Sequence, residues 1–189
     1  MSSALRTYVV LSTATILSTL IYRISPFVIH KTTNKEHLTS LGYQYLGNKH
    51  GFDSWKVNYS LFQKSLAKYI PEFEKVTDKK EGAYLLKKWC DKNITNSLSN
   101  ADSFKLVRKH CVVNLKNVIL DSPNIRTIDD ASPEQRKWLL QNSNGICKSE
   151  IRELMQWCVN NFRLANIPKN YGSVTKIKGC CAIDTSSYK

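Results

Sequence analysis

The sequence predicts an all-α protein, an N-terminal transmembrane or signal-anchor helix followed by a compact bundle of about five helices. Three observations carry that reading. Apolar residues beyond position 54 recur at spacings of three and four, which line one face of a helix. The stretch from Tyr8 to Ile29 is apolar or small except for Arg23. No alternating apolar run around an Asn-Gly turn marks a hairpin.

The anchor comes first. Residues 1–29 hold Tyr8, Leu11, Ile16, Leu20 and Ile21 in a run close to the roughly 20 residues that span a hydrocarbon core. The strongest part, Tyr8 to Tyr22, is shorter, so spanning requires Arg23 to snorkel or Ile24 to Ile29 to sit in the interface. A cleaved signal peptide and a buried helix are the competing readings. No small-x-small cleavage site follows the run, and no cysteine before residue 90 accepts a lipid. Arg23, Lys31 and Lys35 follow the run while Arg6 precedes it, and a strict positive-inside count places the following domain in the cytoplasm.

Residues 30–53 are polar, carry Gly42, Gly47 and Gly51 without a sustained period, and read as a linker. A helical domain over 54–168 follows. Trp55, Tyr59, Phe62, Leu66 and Tyr69 share one helix face, with Asp53 or Ser54 as cap and Pro71 as stop. Asp78 and Glu81 form a capping pair for a second helix that carries Leu85, Leu86 and Trp89 and ends near Asn93. Phe104, Val107, Cys111, Leu115 and Val118 predict a third from Ser103 to Ile119, before Ser122-Pro123. Ser132-Pro133-Glu134-Gln135 starts a fourth, which runs through Trp138 and breaks at Asn144-Gly145. Ile151, Leu154, Cys158 and Phe162 give a fifth before Pro168, and residues 169–189 read as a loosely ordered tail. Trp55, Trp89, Trp138 and Trp157 are the expected aromatic core.

Composition narrows the function classes. With 42% hydrophobic residues, five prolines and seven glycines, the chain suits a packed body and not a fibrous or disordered one. Lysine and arginine number 28 against 15 acidic residues, a net charge of +13, so any polyanion or anionic membrane attracts it non-specifically. Runs such as Lys79-Lys80 and Lys87-Lys88 read as solvated helix faces, and basic residues are not interleaved with stacking aromatics as in single-strand binders, so nucleic acid is a disfavoured partner.

Six cysteines stand at 90, 111, 147, 158, 180 and 181, an even count that suits an oxidising exterior. Loop length favours Cys90 with Cys111 and Cys147 with Cys158, and adjacent Cys180-Cys181 resists interpretation because neighbours bond each other only with strain. Three of them share a pattern: Leu86-Lys-Lys-Trp89-Cys90, Val107-Arg-Lys-His110-Cys111 and Leu154-Met-Gln-Trp157-Cys158. This is either a repeated unit whose cysteines pair or three core helices with an aromatic beside a small thiol.

Catalytic, cofactor and metal signatures are missing from the sequence. No Cys-x-x-Cys pair offers a zinc site. His110 and Cys111, as helix neighbours, point about 100° apart and do not make a thiol and its base; a half-exposed histidine beside a core cysteine is expected. The glycines fit neither phosphate-binding spacing, and no Gly-x-Ser-x-Gly elbow occurs. Asn58-Tyr-Ser60 and Asn93-Ile-Thr95 match the glycosylation acceptor, which matters only in a eukaryotic host.

The short apolar N-terminus, the Gly51 to Tyr59 segment with Trp55, Leu85-Leu-Lys-Lys-Trp89-Cys90 and Trp157-Cys158 together resemble the paralogous, largely uncharacterised proteins of about 200 residues from blood-parasitic mycoplasmas. His110 departs from that pattern, where tryptophan is expected before the cysteine. The resemblance implies a single-pass protein of a wall-less cell, its domain outside, in contact with host cells, host proteins or antibodies. It supplies no catalytic residue. The sequence therefore leads to a non-enzymatic surface module without cofactor, tethered to the membrane by its N-terminal helix. The alternative is a cytosol-facing basic module that binds nucleic acid or anionic lipid. A thiol enzyme trails both. Oligomeric state is not encoded in any of these features.

Overall fold

The computed structural model describes residues 32–48, 50–98, 100–142, 147 and 150–186. The anchor residues Tyr8, Leu11, Ile16, Leu20 and Ile21 lie outside the described residues. Among those described, no helix is long and apolar enough to cross a membrane. They belong to one compact unit that begins at Thr32.

The unit is mainly helical. Eight α-helices are described: α1 (Asn34–Ser40), α2 (Phe52–Tyr69), α3 (Lys79–Ile94), α4 (Ala101–His110), α5 (Leu115–Leu120), α6 (Pro133–Asn142), α7 (Ile151–Phe162) and α8 (Tyr171–Cys181). Two three-residue strands, β1 (Ile125–Thr127) and β2 (Ala182–Asp184), pair antiparallel with Arg126 opposite Ile183. The mainly helical class agrees with the sequence reading, to which the structure adds the small sheet, and among the described residues eight helices stand where about five were expected.

Helices α2 and α3 form the centre. Trp55, Tyr59, Phe62 and Leu66 of α2 are buried together, and α3 adds Ala83, Leu86 and Cys90. Tyr69 keeps the same spacing but is 54% exposed, because the helix outruns the core there before Pro71. Asp78 caps α3 through the Glu81 amide at 2.8 Å, as its position predicts. At α6 the box is reciprocal: Ser132 Oγ accepts from the Gln135 amide, and the Ser132 amide donates to Gln135 Oε1.

The interval 30–53 is not only a linker. Thr33 and Glu36 form a capping box for α1, Leu38 is buried, and Tyr45 and Leu46 enter the core. The helix expected over 103–119 is two helices. The chain turns out at Cys111, runs extended through Val113, and restarts at Asn114, which caps α5 reciprocally with Asn117. Segment 44–46 holds the extended part through Leu46 N–H to Cys111 O and Val113 N–H to Gln44 O, both 2.9 Å.

The tail is likewise ordered through 186, with α8 and β2 built from residues 171–184. Ile177, Cys180, Cys181 and Ile183 are buried. Of the four tryptophans only Trp55 is fully buried; Trp89, Trp138 and Trp157 are half-buried against the core. Indoles at the rim cover apolar surface while their polar edge stays near solvent.

Candidate functional site

The cysteines are the sequence-predicted site residues, and the fold pairs all six. Cys90 of α3 bonds Cys111, just past α4, with α-carbons 5.7 Å apart. Cys147 bonds Cys180 and Cys158 bonds Cys181, with α-carbon separations of 5.5 and 5.6 Å. The pairing of Cys90 with Cys111 follows the loop-length expectation. The pairing of Cys147 with Cys158 does not occur.

Helix geometry explains that correction. Cys158 lies on the buried face of α7 with Leu154 and Phe162, turned toward α8, whereas Cys147 precedes α7 in the chain and is not on that face. Consecutive positions on α8 diverge by about 100°, so Cys180 and Cys181 face different partners and need not bond each other. The two bridges together fasten α8 to α7 and to Cys147. All the cysteines but the half-buried Cys147 are buried.

The aliphatic-x-x-aromatic-Cys pattern places its first and last residues alike. Leu86 with Cys90, Val107 with Cys111 and Leu154 with Cys158 are all fully buried. The aromatic position differs: Trp89 and Trp157 are half-buried, while His110 is buried completely instead of half-exposed. Only the first two cysteines of the pattern bond each other.

His110 stands where catalysis would be sought, and its geometry does not support it. Its Nε2 lies 3.4 Å from Ser65 Oγ, its ring meets Phe62 edge-on, and Nδ1 has no partner to orient the ring. Burial, and secondarily the Lys109 ammonium, push its pKa down to about 3, which leaves a weak base. Cys111 carries no free thiol.

Beside His110 lies a polar core. Asn58 Nδ2 donates to His110 O and Val112 O, both at 3.0 Å, and its Oδ1 accepts from Asn114 Nδ2. Asn58 is fully buried, so its acceptor motif is closed to glycan attachment in the folded chain. Asn93 is half-buried, and its side chain donates to Trp89 O at 2.8 Å. Among the described residues, no group of three or more His, Cys, Asp and Glu side chains is arranged to hold a metal ion.

One surface feature has no counterpart among the sequence motifs. A cleft lined by Ser60, Lys64, Ser65, Lys109 and Arg163 opens on the outer side of α2. Its cations belong to α2, α4 and the end of α7, so no local motif announces them; the net charge of +13 is the only signal. No protein-family model, curated protein or solved structure matches the chain.

Proposed function

We propose that the chain is a membrane-tethered, non-enzymatic module displayed on the outer face of the cell membrane, where its helical surface meets host cells or host proteins. It would belong with the short paralogous proteins of blood-parasitic mycoplasmas that its sequence resembles. The observation that carries this reading is the cysteine framework: six cysteines in three bridges, almost all buried. Disulfides of this kind persist in oxidising surroundings and are rare in a reducing cytoplasm. The apolar run from Tyr8 supplies the tether. The bridges outweigh the charge count around the anchor, which alone favours the cytoplasm.

The test is labelling of intact cells with a membrane-impermeant maleimide, with and without an impermeant reductant, followed by mass mapping. Labelling that needs reduction, and that reaches half-buried Cys147 first, supports external display. Free thiols that label only after lysis overturn it in favour of the cytosol-facing basic module.

A further inference from the structure

We propose that the cleft between α2, α4 and the end of α7 binds sulfate esters of a polyanionic polysaccharide. This inference rests on the surface-display reading only for where the ligand is met; the site itself is argued from the cleft.

The cleft has a volume of about 350 Å³; Leu61 and Phe62 line it along with Ser60, Gln63, Lys64, Ser65, Lys109 and Arg163, and no carboxylate is among them. Lys64, Lys109 and Arg163 form no ion pair with any described carboxylate. Three unmatched cations from separate elements around one concavity repel one another, and an oxyanion relieves that repulsion.

Two of the cations are held in place. Ser65 Oγ accepts from Lys109 Nζ at 2.7 Å and is within reach of His110 Nε2 behind it, so neutral His110 backs the hydroxyl that positions the lysine. Lys109 keeps two further N–H donors for a ligand. Arg163 spends its Nε on Leu61 O at 3.2 Å, which fixes the guanidinium plane and leaves the four N–H of its terminal nitrogens free for bidentate contact with an oxyanion.

Lys109 also lines a second concavity, of about 560 Å³, together with Tyr69, Asp102, Lys105 and Leu106. Asp102 is already paired with Lys105 at 3.0 Å. An extended chain with repeated sulfate groups uses both concavities, whereas a lone lipid headgroup uses one. Nucleic acid fits less well, because the exposed Tyr69 ring is engaged by Lys68 and Lys109 rather than free to stack on a base.

The experiment uses the full chain in neutral detergent micelles, with binding of a heparin-derived hexasaccharide followed by calorimetry. Lys64→Ala with Lys109→Ala is compared with Lys79→Ala with Lys80→Ala, which removes the same charge from an exposed helix start elsewhere. The cleft pair should weaken binding about tenfold or more, and the control pair should stay within about twofold. Ser65→Ala, which frees Lys109 and also removes the hydroxyl beside His110 Nε2, should weaken it several-fold. Circular dichroism and thermal unfolding of each variant separate lost binding from lost fold, and Lys64→Met repeats the test without shortening the side chain. Equal losses in both pairs, absence of binding, or binding to phosphatidylserine vesicles but not to the hexasaccharide would overturn the proposal. Since the readout is made on purified chain, failure here leaves surface display standing, and failure of cell labelling leaves the cleft standing.

Discussion

Gly82 of α3 faces the ring of Tyr59 of α2 so closely that a β-carbon built on it would stand 2.2 Å from Tyr59 Cζ. The ring cannot retreat. It is fully buried, stacks on Phe73 at 6.2 Å between centroids, and its hydroxyl donates to Val76 O at 2.6 Å. The glycine is what lets the two central helices approach.

Gly82→Ala should therefore destabilise the fold by about 1–3 kcal/mol through overpacking, although alanine in a helix normally gains about 1 kcal/mol over glycine. Gly179 of α8 has open space around its α-carbon and serves as the counterpart: Gly179→Ala should gain up to about 1 kcal/mol. Urea unfolding of both variants checks the contrast. Equal, stabilising effects would mean that Tyr59 does not hold its position.

Asn58 ties α2 to the turn after α4. Its amide caps His110 O, a carbonyl at the end of α4, and also Val112 O, while Asn114 donates back to it. Asn58→Ala orphans buried groups on both sides and should cost about 3 kcal/mol or more, since each unsatisfied group costs about 1–3. Asn58→Asp should cost more still, as a carboxylate then faces two carbonyl oxygens. Denaturant midpoints at pH 7.5 measure both; a loss below that of an exposed Asn→Ala would sink the network's role.

His110 makes stability depend on pH in a definite direction. The unfolded chain protonates this ring near 6.5 and the folded chain only at about 3, so between those values the unfolded state binds more protons. Stability is full above 6.5 and declines as pH falls. Between pH 7.5 and 5 the loss should be about 2 kcal/mol, one proton over the part of that interval below 6.5. Asp91 and Asp130, whose Lys87 and Lys116 partners hold their pKa values down, act in the same direction but only below 3.8. His110→Gln should flatten the curve above pH 5, and unfolding free energies across the range test this.

The parts of this fold that sequence revealed are those with local causes. Asp78, Ser132 and Pro71 mark helix ends within a turn of where they act, and Trp55 to Leu66 show their face by spacing alone. The break at Cys111 was hidden because Cys111, Leu115 and Val118 keep helical period across it. What ends α4 is a bridge to Cys90 and a cap at Asn114 built from two asparagines instead of Ser and Glu. Helix α8 has no strong apolar face, and its order comes from bridges to residues far back in the chain. The cationic cleft was invisible for the same reason: Lys64, Lys109 and Arg163 meet only once three helices pack.

Cys180 and Cys181 give the pairing a direct readout in a non-reducing tryptic digest. No tryptic site separates these neighbours, so residues 179–189 leave as one peptide, Cys147 leaves in 138–148, and Cys158 leaves in 153–163. With bridges 147–180 and 158–181 the three peptides should elute as one covalent cluster, while 89–92 and 110–116 travel as a separate pair. Local pairing of Cys147 with Cys158 would instead join 138–148 to 153–163 and release 179–189 alone. That product would detach α8 from its partners, and the buried positions of Ile177 and Ile183 would then lack the bridges that hold them. The two outcomes differ by the mass of a whole peptide, so one mass spectrum of the unreduced digest decides between them.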